Sequence, residues 1–207
     1  MHVFLETPRL VLRRVTAADE DNLFRLNGDP EVMRYLGQGA PTSRDKIRDE
    51  IIPFQLDSYQ RNAGLGLWAA DGRGDGQFLG WFHLRPRRDD GVIDLGYRLV
   101  RRVWGQGLAT EGSAALLAKA FGELGIDRVV AETMTANQAS RRVLEKCGMT
   151  LVRTYPWSEP HPVEGAEQGC VEYELTRSQW LASRAGAATN DGGISGRPAR
   201  GSGTWPR

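Results

Sequence analysis

Cysteine is scarce in this chain: 207 residues contain two, Cys147 and Cys170. Two cysteines make no disulfide framework, and a chain this long can bury a core without one. Cys147 falls on an apolar helical face and Cys170 enters a strand-like run, so both read as buried small residues rather than nucleophiles. A reducing cytoplasm is the expected compartment. Excess charge is also missing. Lys and Arg number 27 against 26 Asp and Glu, a formal net charge of +1. That balance gives no electrostatic case for bulk nucleic-acid binding or for adhesion to a membrane surface. No apolar run approaches the ~20 residues that cross a bilayer. No basic segment followed by an apolar stretch opens the chain, so no secretory signal is expected. No metal site is expected either.

Glycine, by contrast, is abundant, with 25 residues. Two of them shape the most informative segment, Trp104-Gly105-Gln106-Gly107-Leu108-Ala109-Thr110-Glu111. It follows a strand-like run, Val92 to Leu99, and leads into a helical pattern. Glycines let the backbone turn tightly and keep Cβ atoms clear. The helix that follows leaves its first N–H groups unpaired, at the positive end of its dipole. Strand, glycine turn and helix N-terminus together suit a phosphate or pyrophosphate. A P-loop fits poorly, because Leu108-Ala109, not Lys then Ser/Thr, follows Gly107. A dinucleotide fingerprint is disfavoured because Thr110 occupies its third glycine position and no opening βαβ unit precedes the loop. A ligand-free turn is the bland alternative.

A second segment lies one strand downstream: Asn137-Gln138-Ala139-Ser140-Arg141-Arg142-Val143-Leu144-Glu145-Lys146-Cys147-Gly148-Met149. Asn137 can cap a helix and Gly148 can stop one. Ser140, Val143, Leu144 and Cys147 fall at i, i+3, i+4 and i+7 and so share one face, apolar except for a hydroxyl.

These two segments resemble the acetyl-CoA loop and the N-x-x-S helix of the GCN5-related N-acetyltransferase (GNAT) superfamily. The closer resemblance is to the branch typified by ribosomal-protein alanine acetyltransferases (RimJ/RimL-like). Glu6-Thr7-Pro8-Arg9-Leu10-Val11-Leu12-Arg13, Asp29-Pro30-Glu31-Val32-Met33-Arg34-Tyr35-Leu36 and Asp94-Leu95-Gly96-Tyr97-Arg98-Leu99 match that branch in the same order. The resemblance spans residues 4 to 176.

The resemblance implies an α/β (α+β) GNAT fold: a mixed sheet of six to seven strands, splayed between the fourth and fifth, with helices on both faces. It implies a domain over residues 1–185, and the composition beyond it predicts a disordered tail over 186–207. It implies direct transfer of acetyl from acetyl-CoA to a primary amine, either a protein N-terminal α-amine or a small molecule. Trp104, Gly105, Gln106, Gly107, Leu108, Ala109 and Thr110 would hold the coenzyme's diphosphate. Leu99 would pair with pantetheine along a free strand edge, and Asn137 would bind the pantetheine arm or act as a plain helix cap. Asp94 stands where the branch carries a carboxylate, usually Glu. It is a base or a polar strand residue, with Glu132 and His83 as other candidates. Many members place a tyrosine seven residues after the Asn; Leu144 stands there. Ser140 is then the proton donor to the thiolate, or a small residue that packs on the coenzyme. Arg98, Arg102 and Arg142 read as solvated, with the coenzyme phosphates as alternative partners. A homodimer is common in the superfamily. A catalytically silent CoA-binding sensor is the competing function.

The remaining pattern is coarser. Arg9 to Arg13 reads as the first strand, and Thr16 to Asp19 as a capping box opening a helix. A helix from Thr42 or Ser43 carries Ile47, Ile51 and Phe54 on one side, with Pro53 kinking or dividing it. Leu65–Ala70 and Gln77–Leu84 read as strands, as do Arg128–Thr133, Met149–Thr154 and Cys170–Leu175. The helix after the glycine loop places Ala114, Leu117, Phe121 and Leu124 toward the core. The loop Pro156 to Gly169, with Glu159, Glu164, Glu167, Trp157 and His161, suits a cationic acceptor.

Overall fold

The structure, a computed structural model, describes residues 2–36, 42–62, 64–87, 92–158 and 163–190, with 186–190 described as backbone alone. Strands β1 (Val3–Glu6), β2 (Leu10–Arg14), β3 (Gly66–Gly72), β4 (Phe78–Pro86), β5 (Ile93–Leu99), β6 (Arg128–Met134), β7 (Thr150–Tyr155) and β8 (Cys170–Thr176) form one sheet. It has 8 strands in the order β1-β2-β3-β4-β5-β6-β8-β7. Neighbours are antiparallel except β5 and β6, which run parallel. The strand count exceeds the expected range because Val3–Glu6 is a separate strand folded back on β2. The splay consequently falls one strand later, between β5 and β6.

Helices α1 (Glu20–Gly28), α2 (Pro30–Met33), α3 (Arg44–Lys46) and α4 (Ile52–Arg61) precede β3. Helices α5 (Leu108–Gly122), α6 (Gln138–Lys146) and α7 (Arg177–Asn190) follow later strands. Helix α7 passes the expected domain boundary at Ala185 and reaches Asn190; residues 191–207 lie outside those described.

The period-2 alternation of strands assigns each face its own core. Trp68, Phe82, Leu84, Leu95 and Leu99 pack with Leu116, Leu117, Phe121 and Leu144 of α5 and α6. Leu67 and Ala69 pack on the other face with Val15, Leu23, Ile47 and Ile52. Each fully buried large side chain contributes about 1.5–3 kcal/mol. Helix α5 departs from its expected face. Ala114 is exposed, and the buried stripe is Gly112, Ser113, Leu116, Leu117, Ala120 and Phe121. Gly112 belongs to that stripe because a Cβ there would strike the Phe82 ring.

A second departure has a clear cause. A π-helical segment, Ile47–Ile51, joins α3 to α4 immediately before Pro53. Its wider turn accommodates the missing proline N–H and advances the buried face by about one residue. Ile52 is thus buried where Ile51 was expected, and Phe54 is turned outward, 52% exposed.

At the sheet edge of α1, Arg13 bridges two carboxylates. Its Nη2 lies 2.7 Å from Asp19 and its Nε 2.5 Å from Asp71. Burial alone would raise the Asp19 carboxyl, yet the bonds from Arg13 and the Thr16 N–H carry it below its ordinary value. The Thr16–Asp19 capping box forms as expected.

Candidate active site

Strands β5 and β6 pair at Ile93 with Val129 and at Asp94 with Val130, and then diverge. A cleft of about 1810 Å³ opens in the wedge. It is walled by β5 from Asp94 to Leu99, β6 from Ala131 to Met134, the glycine loop and the start of α6. The other edge of β5 is fully paired with β4, from Pro86↔Ile93 to Gly80↔Leu99. Backbone groups of β5 that face the wedge beyond Asp94 therefore have no strand partner and are available to a ligand.

The glycine loop sits at the mouth of this wedge. Gly105 has φ +73° and Gly107 φ +80°, left-handed values that L side chains resist. A Cβ on Gly105 would meet nothing within 4 Å, and one on Gly107 would meet only Arg9 Nη2 at 3.6 Å. Both positions open into the cleft, and Gly107 is the N-cap of α5. The first-turn N–H groups of a 15-residue helix thus face the loop. This is a cradle that a side chain would fill, and it fits a diphosphate.

The cradle is braced from behind by residues of the matching segments to which the sequence assigned no role. Arg9 donates through Nη1 to the Gln106 carbonyl at 2.8 Å, and through its backbone N (2.9 Å) and Nε (2.6 Å) to Glu111. Thr7 Oγ1 donates to the same carboxylate at 2.6 Å. Burial works against the Glu111 anion, but these bonds hold its carboxyl below the ordinary range. Trp104 Nε1 donates to the Leu99 carbonyl at 2.8 Å, so that carbonyl is already engaged within the chain. Gln106 likewise turns its side chain inward, onto the Arg102 carbonyl at 2.9 Å.

Helix α6 forms the other wall. Asn137 Oδ1 caps it by accepting from the Ser140 N–H at 3.1 Å, and both residues line the cleft. Tyr97 of β5, which the sequence did not single out, donates its hydroxyl to Ser140 Oγ at 3.2 Å. Burial pushes the Tyr97 phenol up to about 12, so it stays protonated at neutral pH. Ser140 therefore accepts from the tyrosine and keeps its own hydrogen free to donate. Leu144 is 2% exposed and belongs to the core. Burial also pushes the Cys147 thiol up to about 11, which makes it a poor nucleophile.

The opposite face of β5 carries Asp94, Gly96 and Arg98 beside Trp81 and His83 of β4. His83 Nε2 lies 2.9 Å from Asp94 Oδ2. The ring is buried, and burial lowers its pKa despite the opposing pull of Asp94. A neutral ring must then carry its proton on Nε2, because the carboxylate only accepts. Gly96 makes room for this ring, since a Cβ there would lie 2.5 Å from it. Two of the base candidates thus form one unit. Glu132, also on the cleft wall, is paired instead with Arg87 at 2.8 Å.

Arg98 differs from its expected solvated state. It is half-buried, lies over Trp81 with Cζ 5.1 Å from the ring centre, and bonds the Asn27 side chain of α1. Arg102 bonds the Phe78 carbonyl at 2.9 Å, and Arg142 is exposed. In the loop after β7, Glu159 and His161 lie outside the described residues, and Glu164 is paired with Arg34. That pairing weakens the loop's case for a cationic acceptor.

Residues 9–150 match the acetyltransferase (GNAT) domain family. The FsC-acetyl coenzyme A-N(2)-transacetylase of Aspergillus fumigatus is 35% identical over 187 residues, which is 86% of this chain and 77% of that protein. A solved RimL, a ribosomal L7/L12 alpha-N-protein acetyltransferase in complex with coenzyme A, superposes with TM-score 0.70 at 18% identity, covering 84% of this chain and 98% of that one. The spermidine N-acetyltransferase of Vibrio cholerae, in complex with CoA and spermine, gives TM-score 0.69 at 15% identity, covering 84% and 99%.

Proposed function

This chain belongs to the GNAT acetyltransferase family and is an acetyl-CoA-dependent acyltransferase, and we propose that it passes acetyl directly to a primary amine held on the Asp94 face of the wedge. The observation that carries this reading is the wedge itself. A coenzyme-sized cleft joins the glycine cradle to the Asp94–His83 pair through unpaired β5 backbone.

Acetyl-CoA supplies an activated thioester and a thiol leaving group. The chain supplies the rest. Main-chain N–H groups of Gly105 to Ala109 hold the diphosphate, and Asn137 steadies the pantetheine arm. Asp94, oriented by His83, takes the proton of the attacking amine. A wedge-facing N–H of β5 stabilises the oxygen that gains charge. Ser140 donates toward the departing sulfur, with Tyr97 behind it. A thiol of pKa about 8.5 needs only such weak assistance. An α-amine, with pKa about 8, asks less of Asp94 than an alkylamine at about 10.4.

A panel of amines assayed with acetyl-CoA, with free CoA release and acetylated product both measured, tests this. Stoichiometric product and CoA support transfer. Tight CoA binding with no acetylated amine would leave a coenzyme-binding sensor instead.

A further inference from the structure

The acceptor face holds a cation without a counter-charge. Arg98 is carried into the cleft by β5, between Asn27 of α1 below and the Trp81 ring beside it. Its Nη1 is used by a neutral amide oxygen, and its Nε is buried without a protein acceptor. Among the described residues no carboxylate bonds the guanidinium, and the charge that bears on it is another cation, Arg85. Withdrawing a charge from water without a partner is unfavourable, and an anion from outside relieves it. A guanidinium held over an indole on one side and by an amide oxygen on another is fixed in place, and its planar fork matches a carboxylate.

We propose that Arg98 anchors a carboxylate of the amine acceptor, making the enzyme selective for amino acids or amino-acid derivatives that present an anion at one end and the reacting amine at the other. This rests on the acetyl-transfer reading above and names its substrate class. Asp94 and Arg98 are four residues apart on β5, about 13 Å between Cα atoms. The two ends of the acceptor are therefore separated by several carbons.

Burial, with Arg85 adding to it, lowers the Arg98 guanidinium to about 10, the direction expected of a cation lacking a partner. It stays charged at neutral pH. The coenzyme's phosphates are the rival anion. The contacts argue against them: Arg98 bonds α1, whereas Tyr97, its neighbour on β5, bonds α6 on the other face.

The test has a binding arm and a turnover arm. Hexanoate and hexanamide are titrated into the CoA-loaded protein by calorimetry. Hexanoate should bind at least tenfold more tightly, and Arg98→Gln should level the two. Asn27→Asp, which gives Arg98 a carboxylate of its own, should also level them, and this variant guards against a misfolded Arg98→Gln. Equal binding by the native protein, or a fall in CoA affinity in Arg98→Gln matching the loss of hexanoate, overturns the proposal. In the turnover arm 6-aminohexanoate is compared with hexylamine. A kcat/KM ratio of at least tenfold that collapses toward one in both variants supports the anchor. Equal rates with the two amines would overturn the anchor and leave acetyl transfer standing. Hexanoate preference with no amine acetylated would leave the anion site standing and sink the transfer reading.

Discussion

His83 and Asp94 are diagonal neighbours across β4 and β5, and His83 Nε2 lies 2.9 Å from Asp94 Oδ2. The carboxylate is thereby fixed in direction while its side chain keeps 19% exposure to the cleft. The pairing leaves Asp94 both aimed and reachable, as the base proposed above must be. Asp94→Asn should lower kcat about 100-fold near neutral pH. CoA affinity should stay within about twofold, since the coenzyme cradle lies on other residues. The defect should shrink as pH rises toward the pKa of the amine, when the acceptor deprotonates unaided. A rate equal to the native enzyme's at pH 7 would remove Asp94 from the chemistry.

The same pair makes stability depend on pH. Burial holds His83 below its ordinary 6.5 in the folded chain. The unfolded chain therefore takes up the proton first as pH falls. The stability tied to a neutral His83 is complete above 6.5 and is lost as pH drops from there through the folded value. Urea denaturation from about pH 7.5 to about pH 5.5 should show falling stability in this window. His83→Gln, whose amide can still donate to Asp94, should flatten the slope. An unchanged slope would assign the pH dependence to other groups.

Gly107→Val should abolish measurable CoA binding while the chain still folds. The left-handed φ of +80° strains any β-branched residue, at about 1–3 kcal/mol, and the added methyls enter the cradle. Calorimetry with CoA and thermal denaturation separate the two effects. Native CoA affinity in a folded variant would contradict the cradle.

Ser140→Ala and Tyr97→Phe should each reduce turnover about tenfold or more, with a smaller effect on CoA affinity. On the proposed role, in which Tyr97 acts through Ser140, the double variant should be no slower than Ser140→Ala alone. Additive losses would mean that the two hydroxyls act separately.

The strand, glycine turn and capped helix around residues 92–110 were legible because their signals are local: glycines at fixed spacing, a run of alternating residues, then a helical stripe. The N-x-x-S helix was readable for the same reason. The roles of Arg9, Tyr97 and Arg98 were not, although all three lie in stretches that match the family. Arg9 braces the loop through Glu111, over a hundred positions away, and no window along the chain brings them together. Tyr97 and Arg98 are adjacent, yet their roles differ because strand alternation sends one to α6 and the other to α1. Which face each strand shows becomes known only once the sheet is assembled. The shifted face of α4 was hidden by the π turn before Pro53, which breaks the 3.6-residue period on which pattern reading depends.

The two rungs joining β5 to β6 are the seam between a leading leaf, β1 to β5, and a trailing leaf, β6 to β8. A ligand that pairs with the free edge of β5 would add a rung. Bound coenzyme would serve as a ninth strand, so its grip and the rigidity of the seam rise together. Amide protons along the gap-facing side of β5 should exchange quickly in the bare enzyme and slow when CoA is added. On this view the molecule is stiffest when loaded and loosens when the spent carrier departs.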